Sequence, residues 1–254
     1  MRFYHRRVGE GMKQVFLTTE SNVKIAKNVY EMRLKGDLSG IAAAGQFVNL
    51  KVDDCYLRRP ISVCDKDGDT LTLVYKVVGK GTKILSEYQK GKIIDALTGL
   101  GNGFDVYASG KRPLLVGGGV GVPPLYYLCR QLKDKGAKPI VVLGFNTAEE
   151  VFYRQKFVET GAEVYIATAD GSVGAKGFVT DVAKNLDYDY FYACGPMPMF
   201  YALEKIVKTS GEYSFEERMG CGFGACMGCS CKTKYGAKRI CKDGPVLKRE
   251  EVIW

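Results

Sequence analysis

The sequence predicts a β barrel plus an α/β fold: an antiparallel β-barrel domain over 1–108, a parallel-sheet domain over 109–210, and a small cysteine-built domain over 211–254. Three observations lead there. Short β-patterned segments separated by turns fill the first region. From Lys111 onward, strands alternate with helical segments. Five of the nine cysteines fall between Cys221 and Cys241.

In the first region the candidate strands are Val15–Thr19, Val29–Leu34, Phe47–Val52, Ile61–Cys64 and Leu71–Val78, with Asp67-Gly68-Asp69 as a turn. Many short strands at close spacing predict a small antiparallel barrel. A short helix, Thr82–Gln89, interrupts it. In the second region the expected strands are Pro113–Val116, Ile140–Phe145, Glu163–Ala167 and Tyr190–Ala193. Helices are expected near Pro124–Lys135, Glu149–Glu159, Thr180–Asn185 and Met197–Lys208. That alternation predicts a parallel sheet covered on both faces. The third region is too small to fold on an apolar core alone, so a metal centre is its natural staple.

The chain has 254 residues, enough for two or three domains, and 46% of them are hydrophobic. No run of 18 apolar residues occurs, so no transmembrane helix is expected. The start, MRFYHRRVGEGMKQ, is basic with no apolar stretch after it and does not read as a signal peptide. Lysine and arginine exceed aspartate and glutamate by nine, but the cations are dispersed. That reads as a solvated surface; the functional alternative is attraction of dinucleotide phosphates or an acidic partner. No nucleic-acid motif is present. The single histidine, His5, rules out sites that need two and reads as a surface residue. Clustered cysteines without a signal peptide point to a reducing, cytoplasmic setting and to metal or redox chemistry.

In CGFGACMGCSC and Cys241, four residues separate Cys221 from Cys226, two separate Cys226 from Cys229, and eleven separate Cys229 from Cys241. This is the plant-type [2Fe–2S] spacing. Gly222, Gly224 and Gly228 would allow the positive φ angles that a cluster-wrapping loop requires. Structural zinc also takes four thiolates, usually from two short knuckles, and the second knuckle is missing here. Cys231 is left outside the ligand set as a small buried side chain.

Gly117 to Leu125, GGGVGVPPL, joins a strand to a helix, where glycines let a backbone approach a pyrophosphate. Ala193 to Met199, ACGPMPM, puts Cys194, Gly195 and Pro196 at the end of another strand. Each motif alone also reads as an ordinary strand–helix turn. In Arg59-Pro60-Ile61-Ser62, the arginine can neutralise a pyrophosphate and the serine can reach a flavin ring. Gly79-Lys80-Gly81-Thr82 opens a helix and offers backbone N–H groups to phosphate; its plainer role is a turn capped by Thr82.

Taken together these segments resemble the ferredoxin-reductase superfamily. Arg-Pro-Ile-Ser resembles its flavin motif, with Ile61 in place of the usual tyrosine, and Gln46-Phe47 resembles its entry strand. LRRPIS, YKVVGKGT, GLGNGF, GGGVGVPP, ADGSVGAKGFVTD and EERMGCGFGACMGCSC, in that order, resemble the electron-transfer subunits of NAD-dependent (B-type) dihydroorotate dehydrogenases. The resemblance implies an FAD-binding barrel, an NAD-binding parallel-sheet domain and a [2Fe–2S] domain. It puts Arg59, Pro60, Ile61, Ser62, Tyr75, Lys76, Val77, Gly79, Gly81 and Thr82 at FAD contacts. It puts Gly117, Gly118, Gly119, Gly121, Cys194, Gly195 and Pro196 on the nicotinamide side, with Ser62 and Cys194 as candidate catalytic residues. Cys221, Cys226, Cys229 and Cys241 match the cluster ligands. The implied partner is an FMN-containing catalytic subunit that oxidises dihydroorotate in pyrimidine biosynthesis, in a heterotetramer of two copies of each chain. Electrons would pass from FMN through the cluster and FAD to NAD⁺. Met219, Phe223 and Met227 are candidate partner contacts, or else packing beneath the cluster loop. A stand-alone NAD(P)H-dependent reductase and a zinc-stapled binding module are the alternatives. NAD is expected over NADP because Asn146 to Glu150, after the second strand of the sheet, carries two carboxylates and no cation; Arg154 lies further along.

Overall fold

The computed structural model describes residues 11–254. His5 lies outside the described residues.

The first region closes into a six-stranded antiparallel barrel. Its strands are β1 (Lys13–Ala26), β2 (Val29–Lys35), β3 (Phe47–Leu50), β4 (Arg59–Asp67), β5 (Thr70–Lys76) and β6 (Ile93–Leu100), in the order β1-β2-β5-β4-β3-β6. Helix α1 (Lys80–Ser86) lies between β5 and β6. Leu17, Met32, Leu34, Val48, Leu50, Val63, Leu71 and Leu73 fill the interior. The sequence reading missed β6, the strand that closes the barrel. Its buried residues alternate (Ile94, Ala96, Thr98, Leu100), but the intervening apolar Ile93 and Leu97 blur the pattern. Leu97 packs against the cysteine region, so its apolar character belongs to tertiary contact.

The α/β elements are β7 (Pro113–Gly118), α2 (Val122–Asp134), β8 (Ile140–Phe145), α3 (Arg154–Glu159), β9 (Glu163–Thr168), β10 (Ala175–Lys176), α4 (Val179–Ala183), β11 (Tyr190–Cys194), α5 (Met197–Glu204) and β12 (Gly211–Ser214). The sheet order is β10-β9-β8-β7-β11-β12, extended by antiparallel β15 (Val246–Lys248). The sheet is covered on both faces. Leu115, Val141 and Leu143 pack with Leu125, Leu128 and Leu132 of α2. Leu114, Val116 and Val142 pack with α4 and α5 on the other face. Residues 149–159 do not form the single helix expected. A 3₁₀ turn, Ala148–Glu150, is followed by extended Val151, and Tyr153 takes φ +65° before α3 begins. Phe152 and Tyr153 are thereby buried against the barrel, and the Tyr153 hydroxyl donates to Glu31 Oε2 at 2.5 Å.

The third region contains the hairpin β13 (Ser230–Thr233) and β14 (Gly236–Arg239), and helix α6 (Ile240–Asp243). It is less separate than a boundary at residue 211 implies. β12 and β15 belong to the large sheet, so the cysteine loop emerges between two of its strands. Short strands such as these give little periodicity to read, and the pairing of Glu212 with Lys248 and of Ser214 with Val246 is a tertiary fact.

Candidate functional site

The chain runs β7, β8, β9 in one direction across the sheet and then crosses back to β11 on the other side of β7. Open α/β sheets bind ligands at such a switch, beyond the strands' C-terminal ends. Both glycine motifs are there. At Gly121 an added Cβ would stand 2.2 Å from the Cys194 carbonyl oxygen, so only glycine lets the two loops approach this closely.

Facing this switch is the barrel. Between them lies a cavity of about 310 Å³, lined from the barrel by Phe47, Arg59, Pro60, Ile61, Ser62, Val74, Tyr75, Lys76, Val78 and Thr82. Val120, Gly121, Cys194 and Gly195 line it from the sheet. Ser62 and Cys194, remote in sequence, thus face one space. Val77, Gly79, Gly81, Gly117, Gly118, Gly119 and Pro196 do not line it. The Val77 N–H is bonded to the Asn28 carbonyl. Tyr75 donates to Asn22 Oδ1 at 2.9 Å and stacks on Tyr30. The Thr82 hydroxyl accepts from the N–H groups of Val78 and Gly79 and donates to the Gly79 carbonyl, so it secures its own turn. Arg59 lies across Gly81: a Cβ there would be 2.2 Å from Arg59 Nε. A cavity with mostly apolar walls, the cations Arg59 and Lys76 and the hydroxyl of Ser62 fits a flavin dinucleotide.

Burial pushes the Cys194 thiol up to about 12, against a lowering by the Ser214 hydroxyl, so it remains a neutral thiol at physiological pH. Ser214 pairs with Cys194 in register across β11 and β12. The sequence reading missed this wall: Ser214, Phe215, Glu216, Glu217 and Met219 close the cavity from the segment leading to the cysteines. Its only sequence signal is position, immediately before the cysteine loop.

Glu149 and Glu150 prove to be committed elsewhere. Glu149 pairs with Lys27 at 2.9 Å and Glu150 with Lys76 at 3.1 Å, both across the barrel–sheet junction. Glu150 also accepts from the backbone and side chain of Asn146. With Arg130–Asp65 and Lys156–Glu31, these pairs fix the sheet domain against the barrel.

The cysteine loop presents its thiols in pairs. Burial disfavours ionisation of Cys221, but the N–H groups of Cys226, Phe223 and Ala225, with the Cys226 thiol, outweigh it and bring its pKa down to about 6. The N–H of Ala225 reaches Cys221 Sγ at 3.2 Å and that of Cys226 at 3.4 Å. Cys229 Sγ accepts from the Cys241 N–H at 3.4 Å. Among the described residues no three Cys, His, Asp or Glu side chains gather at single-ion spacing. Thiols in pairs with backbone N–H groups aimed at sulfur suit a binuclear centre, which shares four thiolates between two irons. Gly222 and Gly224 take positive φ as expected; Gly228 does not, and Met227 does instead, at +61°. Cys231 sits half-buried on β13 opposite Lys238. Met219 lines the cavity and packs with the cysteine loop, whereas Phe223 and Met227 are 40% and 54% exposed.

Comparison with known proteins agrees with this geometry. The family model for the iron-sulfur cluster binding domain of dihydroorotate dehydrogenase B matches residues 216–253. The dihydroorotate dehydrogenase B (NAD(+)) electron transfer subunit of Geobacillus sp. (strain WCH70) is 50% identical, covering 95% of this chain and 99% of its own. That of Fusobacterium nucleatum is 47% identical over the same shares. Among solved structures, the NADH-dependent reduced ferredoxin-NADP oxidoreductase is similar at TM-score 0.84 and 32% identity, covering 94% of this chain and 90% of its own. A ferredoxin NADP⁺ reductase from Neisseria gonorrhoeae, at 17% identity and TM-score 0.62, covers 77% of this chain and 92% of its own and shares the fold. With half its residues identical over nearly the full length of such a relative, and a barrel, switch-point cavity and paired thiols to match, the chain belongs to the family of dihydroorotate dehydrogenase B electron-transfer subunits.

Proposed function

We propose that this chain relays electrons from an FMN-containing, dihydroorotate-oxidising catalytic subunit to NAD⁺. The observation that carries the reading is that one cavity holds Arg59, Ser62, Lys76 and Cys194 while Phe47 and Met219, which also line it, pack on the cysteine loop. Bound FAD and a [2Fe–2S] cluster supply the redox chemistry, the cluster one electron at a time and the flavin in ones or twos.

The chain's own residues bind and orient. Arg59 brings positive charge to the diphosphate beside Thr82, with Pro60, Ile61, Tyr75, Lys76, Val77, Gly79 and Gly81 shaping the barrel side. Ser62 offers a hydroxyl to the flavin ring, and Cys194, kept protonated by burial, meets the nicotinamide. Gly117 to Gly121 with Gly195 and Pro196 let the dinucleotide approach the strand ends. Cys221, Cys226, Cys229 and Cys241 hold the cluster. Phe223 and Met227, exposed beside it, form the partner contact. We keep 1–108, 109–210 and 211–254 as the FAD, NAD and cluster units. The resemblance supports a heterotetramer of two copies of each subunit. A chain whose clustered thiolates hold iron and sulfide accords with a reducing, cytoplasmic compartment.

The test is cofactor extraction with iron and sulfide analysis on the purified complex. Expected are FAD, FMN, and two irons with two sulfides per copy of this chain. Zinc without iron, or no FAD, overturns the reading. Purification without an FMN subunit favours the stand-alone reductase.

A further inference from the structure

Strand β3 is buried on both faces. Val48 and Leu50 point into the barrel, while Phe47 packs with Cys229 and Cys241 on the opposite side. Asn49 shares that outer face. It is 1% exposed, an amide in an otherwise apolar strand, Phe-Val-Asn-Leu. Its Nδ2 donates to the Cys221 carbonyl at 3.1 Å, 172 residues away in sequence. Its Oδ1 is buried with no hydrogen-bond partner. Leaving an acceptor unsatisfied costs free energy, so folding alone favours an apolar residue here.

The amide also shapes the loop. Gly222 has φ +78°, and a Cβ there would stand 2.4 Å from Asn49 Nδ2. Asn49 therefore grips the Cys221–Gly222 peptide, next to the thiol that gathers most of the loop's N–H groups. In the barrel, Asn49 pairs with Pro60 and Phe47 with Ser62, both within the Arg59–Ser62 segment. One short strand thus touches the flavin motif along one edge and the cysteine loop with its outer face.

We infer that Asn49 is a positioning residue for the iron–sulfur cluster, by which the flavin barrel fixes the geometry of the Cys221 ligand loop. This rests on the cluster assignment proposed above.

The test uses the purified complex with Asn49→Leu, close in size but without a donor, and Asn49→Asp, which keeps the shape and replaces the donor with an acceptor. Measured are iron and FAD content, the EPR spectrum and midpoint potential of the reduced cluster, and the rate of cluster loss to a chelator. Both variants should keep FAD, show altered EPR g-values and potential, and lose the cluster about fivefold faster, the factor that one neutral hydrogen bond represents. A Leu variant with wild-type EPR spectrum, potential and chelator rate overturns the inference. Loss of FAD and cluster together in both variants also overturns it, since Asn49 would then serve the barrel generally. Iron missing from the wild-type complex sinks the cluster assignment itself, whereas iron present with indifferent variants sinks only the role of Asn49.

Discussion

Replacing Gly81 by alanine separates the position of Arg59 from its charge. Gly81 lies inside α1 without a positive φ, so alanine suits the backbone. By propensity alone the change favours the helix by about 0.8–1 kcal/mol. The added Cβ, however, would lie 2.2 Å from Arg59 Nε and 2.7 Å from its Cζ and Nη2. Those atoms end a flexible side chain, so the guanidinium yields and the fold survives. Arg59 leaves its present seat, where Nη1 donates to the Leu57 carbonyl at 2.5 Å. If that seat aims it at the FAD diphosphate, the loss is one charge-assisted hydrogen bond, about 1.5–3 kcal/mol, or a roughly 10- to 100-fold rise in Kd. The assay is fluorescence titration of FAD into the apoprotein of wild type, Gly81→Ala, Arg59→Ala and the double variant, with Tm as a fold control. Because both substitutions act on the same guanidinium, the glycine change should cost almost nothing once Arg59 is gone. An unchanged Kd in Gly81→Ala, or a full glycine penalty in the Arg59→Ala background, would refute the reasoning.

Three further outcomes are expected. Serine at Cys221, Cys226, Cys229 or Cys241 should remove iron from the purified chain, while Cys231→Ser keeps it; full iron after loss of Cys226 contradicts the ligand set. Burial raises the Glu212 carboxyl to about 8 from 4.5, although the Asp105 N–H bonded to it opposes the rise. The folded chain thus holds a proton that the unfolded chain releases, so stability falls as pH climbs from 4.5 and levels off above 8. Denaturation of Glu212→Gln should lose this slope, and an identical slope in wild type and variant argues against it. NADH should give a higher kcat/KM than NADPH, because the loop after β8 carries no cation of its own and the lysines beside it, Lys27 and Lys76, are already paired with Glu149 and Glu150; parity between the cofactors would exclude this.

What the sequence by itself determined is what repeats locally or is spelled by residue type. Alternating apolar residues marked most barrel strands, and β8, Ile-Val-Val-Leu-Gly-Phe, reads as a buried parallel strand because both faces are covered. Cysteine spacing marked the cluster loop, since thiolates must sit close along a tight turn. Tertiary structure alone decided which distant groups share a space. β6 was obscured because its outer face packs on another region, and the helix expected at 149–159 was broken because Tyr153 turns to Glu31 on the barrel. Glu149 and Glu150 looked like a phosphate-repelling pair until Lys27 and Lys76 arrived from the barrel to neutralise them. Asn49 was visible as a polar residue in an apolar strand, but its partner, the Cys221 carbonyl, lies on a loop that only the closed fold brings within 3.1 Å. Local patterns follow backbone geometry over a few residues, whereas these pairings depend on how the barrel, the sheet and the cysteine loop bury one another.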